Sequence, residues 1–319
     1  MPHKNPKIPA KDHLIVNSAV RAIFAVQDWL ITEVRKDPKY AFSEQIRKLD
    51  KKPYLTIDRQ AEERTKEFLE YAFGGSRNIL VIGEERLDES NLDLSKEKRI
   101  VALLDMIDGT DLFTRHLSNW CSAIVFYQKG KILGSFVGLP HQGVFFATCN
   151  TSTSFRFLPL PSTTQPSLLD GPKYLPVEVP SADVTLGNAS ICYYGQKIEN
   201  FLSISQNEAL ISKFKQLSVA DPDTRIYNFA GNPMMIRLLD LPDTKPVNAV
   251  IDLHGQWPHD VVPGAFIAQK AGAIITDLSG NSLDFNKSLL QPANKACKLK
   301  YILASSKKLH AELLEILKT

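Results

Sequence analysis

The chain has 319 residues, of which 44% are hydrophobic, so it can bury a substantial core in one large two-lobed unit or in about two domains. Its 38 basic and 35 acidic residues leave a formal net charge of +3, which gives no sign of affinity for a nucleic acid polymer or a membrane surface. Four cysteines without a CxxC pair are typical of reduced thiols and argue against a disulfide framework or a zinc site.

The first elements along the chain are predicted to be two helices. The opening sequence, MPHKNPKIPAKDHL, lacks the apolar core of a secretory signal, and no stretch approaches the roughly 20 apolar residues of a membrane span. We therefore expect a soluble, cytoplasmic protein. Apolar residues at helical spacing predict a helix from Asp12 to Arg35, with Asp12 as a candidate N-cap. A second helix is predicted from Asp58 to Phe73.

Two hydrophobic strands follow, and each is predicted to end in acidic residues. The segments RNILVIGEE and RIVALLDMIDGT run from apolar residues into Glu84, Glu85, Asp105 and Asp108. The next segment, 121–149, has strand-like runs around a Lys-Gly turn, which favours antiparallel strands. Residues 1–150 are therefore predicted to form an N-terminal α+β lobe with most of the candidate ligands.

The remainder of the chain changes character twice. Residues 151–185 are rich in Pro, Ser and Thr, which predicts a connecting or covering segment. Beyond them, strand-like runs such as NASICYYG and NAVIDLHG alternate with helical runs such as NEALISKFKQLS and VVPGAFIAQKAGA. This alternation predicts a layered α/β lobe over residues 186–319, and an α/β fold for the whole chain.

The acids at the strand ends suit a hard metal ion and a phosphate group. Divalent cations such as Mg²⁺ prefer oxygen ligands and often combine a few carboxylates with substrate phosphate. Asp105 and Asp108 can converge across a turn, with the Ile107 carbonyl between them. Gly109 lets the backbone approach an anion closely, and the Thr110 hydroxyl could orient a water molecule.

Each of these motifs also has an ordinary structural interpretation. A single D-x-x-D-G-T sequence is most often a capped turn. The pair Glu84–Glu85 is usually a solvated pair, and Asp260 in WPHDVV would by itself be a helix N-cap. Only the combination favours catalysis.

Three segments together resemble the inositol monophosphatase superfamily of Mg²⁺-dependent phosphatases. They are GEE at 83–85, DMIDGTDLF at 105–113 and HDVVPGAFIAQKAGAIITDLSG at 259–280. The superfamily also contains fructose bisphosphatases and phosphoadenosine-phosphate phosphatases. The resemblance begins near Asp12 and is interrupted at about 150–190. It implies an αβαβα sandwich with the site between two lobes, two or three Mg²⁺ ions, sensitivity to lithium and often a homodimer.

The resemblance also implies a role for individual residues. The implied metal ligands are Glu84, Asp105, the carbonyl of Ile107, Asp108 and Asp260. Gly109 and Thr110 would bind the phosphate. Glu84 and Thr110 would orient the attacking water, and Asp58 would be the acid that partners the threonine. A cap on the following helix is the alternative interpretation of Asp58.

The sequence departs from the family pattern at several of these motifs. Met106 stands where the family usually has proline, and His259 stands where it usually has tryptophan. Pro263 replaces a small residue and is tolerated if it lies in the first turn of its helix. We expect His254 and His259 to be exposed or structurally hydrogen-bonded, because a metal mechanism requires no histidine.

The substrate-binding candidates are Asp252, Asn228 and Ala230. Relatives that accept inositol phosphates typically carry small residues where Asn228 and Phe229 fall. Asp252 corresponds best to an acid that contacts substrate in such relatives, but it could equally be a strand-end acid without a ligand.

Two classes of function follow. The first is a phosphomonoesterase that acts on a small phosphorylated metabolite, such as an inositol monophosphate-like polyol, a sugar phosphate, or a nucleotide such as phosphoadenosine phosphate. The second is a non-catalytic relative that binds metal or phosphate. Retention of Thr110 together with all four implied carboxylate ligands favours the enzyme.

Overall fold

The computed structural model describes residues 7–46, 53–84, 87, 94–158, 174–180, 184–195, 197–220, 224–229, 231–242, 244–289 and 298–317. Its strands are β1 Glu44–Ile46, β2 Pro53–Leu55, β3 Ile79–Gly83, β4 Ile100–Asp108, β5 Cys121–Gln128, β6 Lys131–Leu139, β7 Gly143–Thr148, β8 Ser154–Phe157, β9 Tyr174–Val177, β10 Ser190–Tyr193, β11 Arg225–Tyr227, β12 Ala249–Gln256, β13 Ile274–Thr276 and β14 Leu299–Ala304. Its α-helices are α1 His13–Lys36, α2 Pro38–Ala41, α3 Thr56–Ala72, α4 Thr110–Thr114, α5 Ile198–Ser205, α6 Glu208–Ala220, α7 Asn232–Ile236, α8 Pro258–Lys270, α9 Phe285–Ser288 and α10 Lys307–Leu317.

The N-terminal lobe is built on a seven-stranded sheet in the order β3-β4-β5-β6-β7-β8-β9. Strands β3 and β4 are parallel, and each of the other neighbouring pairs is antiparallel. Strands β8 and β9 come from the segment 151–185, of which residues 159–173 and 181–183 lie outside the described part of the chain. The described part of this segment therefore extends the large sheet.

Helices α1 and α3 cover the outer face of this sheet. The apolar side of α1, including Val16, Ile23 and Leu30, is buried in one cluster with Phe136 of β6. The stretch Ala10–Val34 is long and apolar enough by composition to cross a membrane, but 56% of its most apolar window is buried within the molecule. This burial is typical of a core helix.

Both predicted N-terminal helices are confirmed, with small differences at their starts. Asp12 precedes α1, but its carboxylate makes no cap hydrogen bond; it accepts hydrogen bonds from the Thr148 hydroxyl and the Asn150 side-chain amide. The second helix, α3, begins at Thr56, two residues before the predicted start.

Helix α8 lies between the two large sheets. It packs on β4 to β8 of the N-terminal sheet and on β13 and β14 of the other sheet. One hydrophobic cluster joins Val125 of β5, Val262 of α8 and Tyr301 of β14. The Ser135 hydroxyl donates to the Pro263 carbonyl at 2.8 Å, and the Ser154 hydroxyl donates to the Ile267 carbonyl at 2.6 Å. These contacts fix α8 against the N-terminal sheet.

The C-terminal lobe is built on a five-stranded sheet in the order β11-β10-β12-β14-β13. Strand β10 is parallel to β11 and β12, and β14 is antiparallel to both of its neighbours. Helix α5 packs on β12 and helix α10 on β14, on the side that α8 does not cover. The layers therefore follow the order helix, sheet, helix, sheet, helix, which confirms the predicted α/β sandwich with two lobes.

Candidate active site

The carboxylates of Asp105 and Asp108 come together because strand β4 bulges between them. Side chains along a regular strand alternate between its faces, so residues three positions apart normally point in opposite directions. Here Asp105 pairs with Ala123 and Asp108 pairs with Cys121, so the stretch of β4 between the two acids is one residue longer than the stretch of β5 that faces it. The two carboxylates consequently approach within 4.8 Å of each other.

Thr110 begins helix α4, and its hydroxyl lies near Asp58. Gly109 precedes it with φ of +97°, a left-handed conformation that glycine tolerates without strain. The Thr110 hydroxyl lies 3.1 Å from the Ile107 carbonyl oxygen and 3.4 Å from Asp58 Oδ1. Asp58 Oδ2 accepts the Leu55 N–H at 3.0 Å. Asp58 therefore both caps α3 and lies beside the threonine, which unites its two predicted interpretations.

Glu84 follows the end of β3, next to the acids of β4. The register pairs Gly83 with Leu104, so Glu84 emerges at the same sheet end as Asp105. A Cβ atom at position 83 would overlap the Glu62 carboxylate, so glycine allows this buried acid of α3 to approach the strand end. Glu62 adds to the negative charge around Asp105.

Asp260, in the first turn of α8, brings the C-terminal lobe to the acidic site. One ligand atom from each of Asp105, Asp108 and Asp260 lies within 4.8 Å of the other two. A second group of the same spacing joins Glu84 and Asp260 through His259. The four predicted carboxylate ligands therefore belong to two groups that share Asp260.

The crowded acids raise one another's pKa values. Burial and then the charges of Glu84 and Asp108 raise the pKa of Asp105 well above its usual value. Burial and then the charge of Asp260 raise the pKa of Asp108 to about 7, and burial with the charge of Glu84 raises the pKa of Asp260 to about 6. A divalent cation would offset this repulsion, and carboxylate oxygens are the ligands that Mg²⁺ prefers. The donor set therefore fits such an ion.

The side chain of Asn232 links Asp108 to α8. Pro263 lies inside α8 rather than in its first turn, and it has no N–H for the His259 carbonyl. The Asn232 amide donates instead to that carbonyl at 3.2 Å and to Asp108 Oδ2 at 2.9 Å. The side-chain oxygen of Asn232, Oδ1, accepts the Gly264 N–H at 2.7 Å. One side chain thus compensates for the proline and holds a candidate ligand.

His259 is buried beside the acids, with a residue exposure of 5%. Its Nε2 lies 3.4 Å from Asp260 Oδ1 and 3.7 Å from Glu84 Oε1, and its ring stacks on Trp257 at 6.3 Å between centroids. Burial alone would lower the pKa of His259, but attraction to the Asp260 and Glu84 carboxylates raises it to about 9. The side chain is therefore part of the site.

Asp252 is placed differently from a substrate contact. It is fully buried, and its Oδ1 accepts the N–H groups of His254 at 2.8 Å and Gly255 at 2.7 Å. Its Oδ2 accepts the Gln256 side-chain amide at 2.8 Å. This arrangement favours the interpretation as a strand-end acid that stabilises the irregular end of β12, and we propose no substrate contact for it.

The other substrate candidates are only partly placed. Asn228 is exposed just after β11, with its side-chain oxygen against Gly195. Ala230 lies outside the described residues. His254 Nε2 lies 3.8 Å from Glu199 Oε1, an exposed pairing outside the acidic cluster.

Several side chains of the site carry no clear sequence signal. Tyr194, half-buried beyond β10, lies close enough to the acids that burial and then the charges of Asp260 and Asp108 raise its pKa. Cys121 lies with its Sγ 3.5 Å from Asp108 Oδ2. Asn232 could have been suspected from the Gly-Asn-Pro sequence before a helix, but Tyr194 and Cys121 read as ordinary strand residues.

Comparison with known proteins agrees with this geometry. The profile of the inositol monophosphatase family matches residues 15–319. A fructose-1,6-bisphosphatase/inositol-1-monophosphatase of Archaeoglobus fulgidus is 24% identical over 269 residues, which cover 84% of this chain and 85% of the relative.

Two solved structures show the same fold at low identity. An IMPase of Thermotoga maritima is similar with a TM-score of 0.63 and 14% identity, covering 95% of this chain and 96% of the other. An IMPase/NADP phosphatase complexed with Mg²⁺ and phosphate is similar with a TM-score of 0.59 and 18% identity, covering 92% of this chain and 93% of the other. With the family profile matching nearly the whole chain, the protein belongs to the inositol monophosphatase family and is a phosphoric monoester hydrolase.

Proposed function

We propose that the protein hydrolyses a small phosphorylated metabolite, a polyol or sugar phosphate, with Mg²⁺ as its cofactor. The observation that carries the proposal is the convergence of Asp105, Asp108 and Asp260 from two lobes beside the hydroxyl of Thr110. The solved complex of the IMPase/NADP phosphatase with Mg²⁺ and phosphate supports the choice of ion.

The cations would be held by Glu84, Asp105, Asp108, Asp260 and the Ile107 carbonyl. When bound, such ions neutralise phosphoryl oxygens, support the leaving oxygen and lower the pKa of coordinated water. Phosphate-monoester hydrolysis is among the slowest uncatalysed reactions, so this charge stabilisation has to be large.

Other groups of the chain would position the reacting water and the phosphate. The Thr110 hydroxyl can donate to Asp58 while its oxygen accepts a hydrogen bond from the attacking water. Glu84 would accept a second hydrogen bond from that water and orient it in line with the scissile bond. The left-handed conformation of Gly109 starts α4, and the N–H groups at this start would donate to a phosphoryl oxygen.

The substrate class is proposed from the relatives and from the residues that follow β11. The archaeal relative is named for both fructose 1,6-bisphosphate and inositol 1-phosphate. Asn228 and Phe229 are larger than the small residues that relatives accepting inositol phosphates typically carry at these positions. A sugar phosphate is therefore our first choice, and the IMPase/NADP phosphatase similarity keeps a nucleotide as the alternative.

The test is release of inorganic phosphate by the purified full-length chain, with Mg²⁺ and with a chelator. The panel contains inositol 1-phosphate, fructose 1,6-bisphosphate, phosphoadenosine phosphate and a phosphodiester as a negative control. We expect Mg²⁺-dependent hydrolysis of a monoester, inhibited by lithium. Equal rates with Mg²⁺ and with chelator, or no monoester hydrolysed, would contradict the proposal, and preference for phosphoadenosine phosphate would select the nucleotide.

A further inference from the structure

The imidazole of His259 lies among the carboxylates of the site. The exposed fraction of His259 is 5%. Neither of its ring nitrogens makes a hydrogen bond among the described residues. Its Nε2 is nevertheless directed at Asp260 Oδ1 and Glu84 Oε1, at 3.4 and 3.7 Å. A buried imidazole that makes no hydrogen bond within the described part of the chain and faces two carboxylates is placed to share a cation with them.

The spacing of the three atoms fits a shared cation. One ligand atom from each of Glu84, His259 and Asp260 lies within 4.8 Å of the other two. Ligand atoms about 2.1 Å from a tetrahedral metal ion stand about 3.4 Å apart, and those around an octahedral ion about 3.0 Å apart. The separations of His259 Nε2 from Asp260 Oδ1 and Glu84 Oε1, 3.4 and 3.7 Å, are within about 0.3 Å of the tetrahedral value, so small side-chain adjustments would bring these atoms onto one ion.

The orientation of the ring is fixed by its surroundings. His259 stacks nearly parallel to Trp257, with 11° between the rings, and its carbonyl is held by the Asn232 amide. The residue sits in the first turn of α8 next to Asp260, so the two side chains start from adjacent backbone positions. The first turn of α8 and the stacking on Trp257 therefore direct the imidazole toward the acids.

We propose that His259 Nε2 is a nitrogen ligand of the metal site and that the face formed by Glu84, His259 and Asp260 binds a divalent transition-metal ion such as Zn²⁺ or Fe²⁺ in preference to Mg²⁺. Imidazole suits transition-metal ions such as Zn²⁺, Fe²⁺ and Ni²⁺, whereas Mg²⁺ takes oxygen ligands. Mn²⁺, which also accepts oxygen ligands, serves as the paramagnetic probe. The inference rests on the metal site of the proposed function and adds to it the identity of the ion at this one position.

The direct test is pulsed electron paramagnetic resonance of the full-length chain loaded with Mn²⁺. We expect a nitrogen coupling to the ion that changes when the wild-type chain is labelled with ¹⁵N-histidine, which requires no substitution. The coupling should disappear in His259→Phe, which keeps a ring against Trp257, and persist in the matched control His254→Asn. Absence of any histidine nitrogen coupling, or its persistence in His259→Phe, would overturn the proposal.

Titration calorimetry with Mn²⁺ and with Mg²⁺ supplies a second readout. Loss of a ligand should weaken Mn²⁺ binding by at least about tenfold, as even outer-shell changes do, and weaken Mg²⁺ binding less. The inference would be overturned if His259→Phe weakened the binding of Mn²⁺ and of Mg²⁺ equally, or if it bound Mn²⁺ more tightly than the wild type. If Mg²⁺-dependent phosphate release persists without nitrogen coupling, only this inference fails; if no divalent cation binds and no ester is hydrolysed, the proposed function fails as well.

Discussion

Asp105 stands at the centre of the site and illustrates its energetics. Burial and the charges of Glu84 and Asp108 oppose its ionisation, so in the absence of metal the folded chain is destabilised by its negative charge. The same charge is what a dication requires. The Asp105 side chain therefore lowers the stability of the metal-free chain and raises its affinity for a divalent cation.

Substitution of Asp105 by Asn should separate these two effects. We expect Mg²⁺-dependent phosphate release to fall on the order of 1000-fold or more, because transition-state charge stabilisation is lost. In chelator at pH 8, the variant should unfold at a temperature about 2 °C or more above wild type, because a buried repulsion is removed. Calorimetry and a phosphate assay measure both; unchanged activity would contradict the assigned role.

His310 offers a pH-dependent test away from the site. It is buried, its Nε2 lies 3.0 Å from the Thr276 hydroxyl, and burial lowers its pKa below the usual value. The unfolded chain therefore binds the proton more readily, so this contribution to stability is fully present above about pH 6.5 and is lost as the pH falls toward the folded-state pKa.

We expect the free energy of unfolding of the wild type to decrease with acidification more steeply than that of His310→Gln. Urea unfolding from pH 8 to pH 5 measures the difference between the two chains, and groups common to both cancel in it. The exposed His13→Asn serves as the control and should follow the wild-type curve. Parallel curves for wild type and His310→Gln would show that burial does not lower the pKa of His310.

Two elements of regular structure are interrupted where the site needs them. Strand β4 bulges so that Asp105 and Asp108 meet, and the Ser122 hydroxyl donates to the Met106 carbonyl at 2.8 Å within this irregularity. Helix α8 contains Pro263, and the Asn232 side chain occupies the position of the missing backbone hydrogen bond. In both cases a side chain stabilises backbone that the element itself leaves irregular.

The second interruption predicts a coupling between two substitutions. Asn232→Ala should lower the free energy of unfolding by about 2–3 kcal/mol, because buried groups on α8 and Asp108 lose their partners. In a Pro263→Ala background the loss should be smaller by about 1 kcal/mol, because residue 263 can then donate to the His259 carbonyl.

A double-mutant cycle by urea unfolding measures this coupling. Asn286→Ala is a suitable control, since Asn286 accepts a single backbone N–H, that of Ile132, at 2.8 Å. It should cost about 1 kcal/mol in either background. Strict additivity of Asn232→Ala and Pro263→Ala would contradict the proposed compensation.

At the scale of the whole molecule, the candidate ligands come from both lobes. Glu84, Asp105 and Asp108 follow strands of the N-terminal sheet, and Asp260 belongs to α8, which also packs on the C-terminal sheet. A bound cation would therefore stabilise the folded chain as a whole and should leave its unfolded form unaffected.

Saturating Mg²⁺ should accordingly raise the unfolding temperature, on the order of 5 °C at about 100 times the dissociation constant. Asp260→Asn should lose most of this increase, because the contribution of α8 to the ion is removed. Asp28→Asn, an exposed acid of α1, should retain it. Differential scanning fluorimetry with and without a chelator provides the measurement, and an unchanged Mg²⁺ response in Asp260→Asn would argue against coordination by this residue.

Sequence patterns predicted what depends on local chemistry. The apolar strands before Glu84 and Asp105, the helix after Asp260 and the mixture of helices and strands were readable from apolar periodicity, and the two-lobed sandwich followed from the family resemblance. The bulge in β4 and the role of Asn232 were not, because each depends on contacts between distant segments. Asp252 has the residue type of a ligand, but its burial against backbone N–H groups is decided by the tertiary structure.

The position of α8 between the sheets has a consequence for synthesis of the protein. The ribosome synthesises the strands of the N-terminal sheet before the residues of α8 leave the exit tunnel. During that time the inner surface of the sheet is exposed to solvent, and the Ser135 and Ser154 hydroxyls lack their carbonyl acceptors on α8. A nascent chain halted near residue 180 should therefore bind chaperones and remain sensitive to protease. A chain extended past residue 270 should become protease-resistant.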